Sequence, residues 1–158
     1  MSYVVTGLAP APFEPLYGLG EEALAQRGAR RLTAAVNDRF PCRVSLEDAR
    51  PGESVILLNF EHQPAATPYR SRHAIFVREG AREPARLTDR MPAILAGRPL
   101  IALRAFDETG EMLEAAIAPG PDVEAAALRL LADPRAAYLH AHNPVRGCYA
   151  ARIDRTTS

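Results

Sequence analysis

The chain has no lysine, only two cysteines and no net charge. With lysine missing, all 19 basic residues are arginine. Guanidinium groups fork carboxylates and phosphates, so an anion-reading surface is one meaning of that bias, and GC-rich codon usage is the plainer one. The zero balance gives no general reason to expect nucleic acid or an anionic membrane as partner, since each needs a basic surface. Cys42 and Cys148 are too few for a disulfide framework, and in a chain read as cytoplasmic they are free thiols. No Cys-x-x-Cys pair is present. No segment approaches the roughly 20 apolar residues of a membrane span, and the first eight residues lack the basic and long apolar regions of a signal peptide. Internal repeats and low-complexity tracts are also missing.

What remains is an ordinary globular composition, 47% hydrophobic and 24% charged over 158 residues. That length suits one domain, residues 1–158, with volume enough for a core without disulfide staples. Alternation predicts strands over residues 3–8 and 30–36, and residues 21–27 read as a short helix with acids in the first turn and glycine at the exit. Ser45 would cap a single helical turn through Ala49. Residues 54–60 are apolar on both faces, as in a strand at the centre of a sheet covered on both sides. A long polar loop, residues 61–73, then carries His62, His73, Arg70 and Arg72, and residues 74–79 resume as a strand.

Residues 80–90 are charged and read as irregular, with a short helix over 91–96. Residues 99–106 and 111–118 form a hairpin closed by Asp107-Glu108-Thr109-Gly110. Arg104 shares a face there with Leu100, Ala102 and Phe106, so it must pair with a buried acid or reach into a pocket. The best helix begins at Pro121, carries Val123, Ala127, Leu130 and Leu131 on one face, and ends before Pro134. Together these elements predict an α+β fold of two layers, a mostly antiparallel sheet with at least two helices packed on it.

The stretch from Arg135 to Ile153 concentrates the chemistry. Residues 136–142 and 148–154 alternate as two strands around an Asn143-Pro144-Val145-Arg146-Gly147 loop. Side-chain alternation puts Ala137, Leu139 and Ala141 on one face and Tyr138, His140 and His142 on the other. Pairing His142 with Cys148 would unite Tyr149, Ala151 and Ile153 with the apolar set. It would also gather Tyr138, His140, His142, Cys148 and Arg152 opposite.

The motifs at residues 41–49, 57–64 and 75–79, and the run from His140-Ala141-His142-Asn143 to Arg146-Gly147-Cys148-Tyr149, resemble a bacterial family catalogued only as a domain of unknown function, family 1203. The similarity covers about residues 8–154. It implies a small stand-alone bacterial protein and brings no activity, substrate or catalytic residue.

Three chemistries fit the residues. A pocket for a small anionic molecule, with or without histidine acid–base chemistry, needs the fewest exact placements. Arg70, Arg104, Arg146 and Arg152 would supply forks, Tyr69 and Tyr138 hydroxyls, and Gln63 and Asn143 orienting amides. Alternatively, His140 and His142, joined by Cys148 or His62, would hold a divalent metal with an open position for hydrolase or lyase work. In a third reading Cys148 or Cys42, each near an arginine, is a nucleophile with a histidine partner. A non-catalytic interaction protein, including a homodimer joined through the polar face, is the remaining alternative, so whether the chain is an enzyme stays open at the level of sequence.

Overall fold

The computed structural model describes residues 1–156. Its α+β architecture is built from two antiparallel sheets and three short helices. The larger sheet has six strands in the order β5 (Arg86–Thr88), β1 (Tyr3–Thr6), β9 (Tyr149–Arg155), β8 (Tyr138–His142), β6 (Ile101–Phe106), β7 (Met112–Ala118). The smaller is β2 (Arg30–Thr33), β3 (Ser54–Gln63) and β4 (Ser71–Arg78). No helix of the described residues is long and apolar enough to cross a membrane.

The period-two pattern read from the sequence sets the core. Leu139 and Ala141 on β8 meet Leu103 and Ala105 on β6 and Ala151 and Ile153 on β9, all fully buried. This face is covered by α2 (Ala93–Ala96) and α3 (Val123–Leu131), whose Val123, Ala127, Leu130 and Leu131 form the predicted apolar stripe. Each large buried aliphatic side chain contributes about 1.5–3 kcal/mol. Tyr3 Oη donates to Glu124 Oε1 at 2.6 Å and ties α3 back to β1.

β3 is sandwiched, as its doubly apolar sequence requires. Ile56 packs with Leu16 and with Leu24 of α1 (Glu21–Gln26), whereas its neighbour Val55 joins Ala34, Phe40 and Phe76 on the opposite face.

Three expectations are corrected. Residues 45–49 make no helical turn; Leu46 adopts φ 57° and the segment folds back so that Pro41 bridges Asp48. Residues 80–90 are not wholly irregular, because Arg86, Leu87 and Thr88 pair with β1, a run too short to carry a periodic signal. The proposed thirteen-residue loop is only seven residues long, 64–70: β3 runs on to Gln63 and β4 starts at Ser71, which places His62 and His73 within strands.

Arg31 ties the small sheet to its surroundings. It forks Glu79 at 3.0 and 2.6 Å and donates to the Leu19 carbonyl, while Gly18 N–H also reaches Glu79. The Arg31 hydrogen bond, opposed by partial burial, holds the Glu79 carboxyl at about 2, below its ordinary 4.5. A depressed acid stabilises the fold above its unfolded pKa and loses that contribution as pH falls through its folded one. Glu79→Gln should therefore lower Tm by about 2–4 °C at pH 7, and the difference from wild type should close between pH 4.5 and 2 in thermal melts.

Candidate functional site

The face of the large sheet opposite the helices is a small grid of three strands. Across β6, β8 and β9 its rows read Phe106, Tyr138, Asp154; then Arg104, His140, Arg152; then Ala102, His142, Tyr149. Side chains facing one another across such rows stand close enough to interact directly. His140 is thus flanked by two guanidinium-bearing residues.

The third row departs from the expected pairing. His142 lies opposite Tyr149, not Cys148, because a β-bulge interrupts the ladder after the Ala141–Ala151 pair. Ala150 is the extra residue, and consecutive Ala150 and Ala151 both enter the core. A bulge bends its strand and re-aims the next side chain. Tyr149, expected among the apolar set, is turned to the histidine side and stands edge-on to both His140 and His142, with ring centroids 5.1 and 5.9 Å away.

A second bulge delivers the third histidine. Between the pairs Phe60–His73 and Gln63–Ser71, two residues of β3, Glu61 and His62, oppose the single Arg72 of β4. His62 stacks on the Tyr149 ring at 5.4 Å and 11° and meets His142 edge-on at 5.0 Å. The following Gln63 is buried and donates from Nε2 to Tyr138 Oη at 2.9 Å, which anchors the end of β3 against the grid.

His62, His140 and His142 are all buried, and each offers a ring nitrogen within 4.8 Å of the other two. His142 Nδ1 lies 2.9 Å from the Gly147 carbonyl. A carbonyl can only accept, so Nδ1 carries the proton and Nε2 keeps a bare lone pair. His142 Nε2, His62 Nδ1 and His140 Nδ1 are buried with no hydrogen-bond partner among the described residues.

Burial is the largest cause holding these imidazoles neutral: His140 is pushed down to about 2, His142 to about 3 and His62 to about 4. Arg104 adds to the effect on all three, and the histidines repel charge on one another. No carboxylate is among the groups acting on them. The arrangement is a cluster of uncharged nitrogen donors with positive charge beside it.

The other sequence candidates divide around this centre. Tyr138 is stacked between the Phe106 ring and the Arg152 guanidinium, which lies 4.0 Å from its centroid and forks Asp154. Arg104 is half-buried and has no hydrogen bond or ion pair with any described residue. Tyr69 is exposed and Arg70 pairs at the surface with Glu61, so neither joins the centre. Cys148 is not in the histidine cluster. It sits in the 143–149 turn, where its Sγ accepts from Asn143 Nδ2 at 3.4 Å; exposed Arg146 is on the same turn. Cys42 is buried in a separate apolar cluster, and both thiols are free.

Sequence reasoning missed Tyr149 and the burial of Arg43. The Ala150-Ala151 doublet, which breaks the large–small alternation of β9, was the available sign of the first.

Residues 39–155 match a family described as a protein of unknown function, DUF1203. This chain belongs to that family. No curated protein and no solved structure gives a significant match. The three histidines, Arg104 and Tyr149 all fall inside the DUF1203 span, whereas β1, α1 and β2 precede it.

A buried polar atom without a partner costs about 1–3 kcal/mol, and replacing it with an apolar group of similar shape removes that cost. His140→Leu should therefore leave the metal-free protein at least as stable as wild type, by about 1 kcal/mol in urea titrations. Marked destabilisation would mean that His140 has a satisfied structural role.

Proposed function

We propose that this protein is a metal-binding protein whose ion is held by His62, His140 and His142, and that the remaining position, beside Arg104, takes a small anionic molecule. The observation that carries the proposal is the convergence of three buried imidazoles, with three ring nitrogens that nothing else satisfies. Orphaned buried polar atoms in a folded protein call for an explanation such as an unseen ion. Three neutral nitrogen donors with an open fourth position are the donor set of catalytic zinc sites, and imidazole also suits copper, iron and nickel. The His142 Nδ1–H bond to Gly147 is the outer contact that fixes a ligating imidazole in its tautomer.

Tetrahedral zinc needs ring nitrogens about 2.0–2.1 Å from the ion, about 3.4 Å from each other. Even at the 4.8 Å limit, closing the triangle moves each ring by less than about 1 Å.

Charge selects the ligand class. A divalent ion here would sit among uncharged donors next to Arg104, with no carboxylate to offset it. Arg152 is already neutralised by Asp154, whereas Arg104 is not. A small anion bound to the metal and forked by Arg104 restores the balance and brings the substrate to a Lewis acid, the setting for hydrolase or lyase chemistry. The same proposal keeps a bacterial cytoplasmic setting with no nucleic-acid partner, supported by the two free thiols and the zero net charge.

Elemental analysis of untagged protein should find close to one equivalent of a transition metal, and His62→Ala or His142→Ala should remove it. Metal at 100 times its Kd should raise unfolding free energy by about 2.7 kcal/mol. Arg104→Ala should keep the metal and lose that part of the thermal shift produced by carboxylates or phosphate that appears only when metal is bound. Protein that is metal-free, and that gains no stability with zinc, cobalt, nickel or ferrous iron, would contradict the proposal.

A further inference from the structure

Arg43 is the largest fully buried side chain in the protein, 1% exposed. Its Nε donates to the Tyr149 carbonyl at 2.8 Å and its Nη1 to the Pro41 carbonyl at 2.6 Å. Among the described residues no carboxylate pairs with the guanidinium. Burial pushes its pKa below the ordinary arginine value, and the Cys148 thiol, which hydrogen-bonds to it, acts the other way together with Cys42 and Tyr149. Carbonyl dipoles satisfy two of its five N–H groups but do not neutralise a buried cation.

Arg43 lines a cleft of about 390 Å³ between the 37–41 segment and the 143–149 turn. Arg39 and Arg146 stand exposed on its two sides, and neither has an ion pair among the described residues. Arg98 also lines it but is neutralised by a forked pair with Asp48. The one acid lining the cleft, among the described residues, is Asp38, whose Oδ2 accepts from the Ala35 N–H. Phe40 and Phe76, stacked at 4.5 Å, give the cleft an apolar wall. Asn143 and Cys148 complete the far side.

We propose that this cleft is a second binding site, separate from the histidine centre, for a small organic oxyanion. Its carboxylate or phosphate would sit among Arg39, Arg43 and Arg146, with its organic body against Phe40 and Phe76. The volume is that of a small-ligand pocket, and guanidinium forks match the planar geometry of such groups. The aromatic wall selects an organic acid over a bare inorganic ion. None of the residues involved ligates the proposed metal, so this inference stands or falls independently of that centre.

Cys148 is a built-in reporter, since it lines the cleft while Cys42 is wholly buried. Its labelling rate with a water-soluble thiol reagent should fall at least about five-fold, saturably, with benzoate or phenyl phosphate. Whichever of the two protects at lower concentration identifies the head group. Acetate and inorganic phosphate should need at least about ten-fold more. Arg146→Ala, an exposed position that leaves folding intact, should raise the protecting concentration about ten-fold; Arg43→Lys should do so more strongly if it folds. Protection by none of the four probes would overturn the proposal. So would protection that Arg146→Ala leaves unchanged, or inorganic phosphate protecting as well as phenyl phosphate.

Discussion

Three uncharged, buried imidazoles at the meeting of two sheets are the constraint around which this protein is arranged. Protonation would place charge beside Arg104 in a buried site, and among the described residues hydrogen bonding reaches only His142 Nδ1. Folding alone gives no reason to converge three such rings. The apolar side of the same strands, by contrast, is accounted for by burial: Leu139, Ala141, Ala151 and Ile153 pack under α2 and α3. One layer of side chains stabilises the sheet, and the layer behind it holds a group of donors that a stability argument would replace with hydrocarbon.

The two bulges are how a regular ladder is made to serve that group. In an unbroken β9, Tyr149 would join the core and Cys148 would face His142. The extra Ala150 turns Tyr149 toward the histidines instead, where its ring supports His62. In β3 the irregularity at Glu61 and His62 interrupts the pairing with β4, which resumes at Gln63–Ser71, and sets His62 against Tyr149 of the other sheet. Both are local departures from pairing next to the candidate site, where bulges are over-represented. The Gln63–Tyr138 hydrogen bond then fixes how closely the sheets approach.

Much of this was legible in the sequence because the β period is rigid. The separation of Tyr138, His140 and His142 from Leu139 and Ala141 follows from alternation, as does the shared face of Arg104, Ala102 and Phe106. The α3 stripe and the Asp107–Gly110 turn were equally plain, with Gly110 at φ 87°. The register was not legible, since a single inserted alanine changes the partner of His142 and leaves the hydrophobic pattern almost untouched. The union of His62 with the other two was only one of two options, because long-range contact between sheets has no local signal. Arg43 was invisible for a different reason: charged residues are almost never fully buried, so its residue type points to a surface position.

Around the histidines the balance of charge runs one way. Asp154 is committed to Arg152, and the only free cation on the grid is Arg104, among the described residues. Under the proposed function, a cation on the imidazoles and an anion next to Arg104 would each lessen the cost of the other. The most direct measurement is the anomalous scattering of a metal-loaded crystal. The account predicts one peak about 2.0–2.1 Å from a ring nitrogen of each of His62, His140 and His142. A peak coordinated elsewhere, at Cys148 or a surface carboxylate, with the three imidazoles left apart, would contradict it.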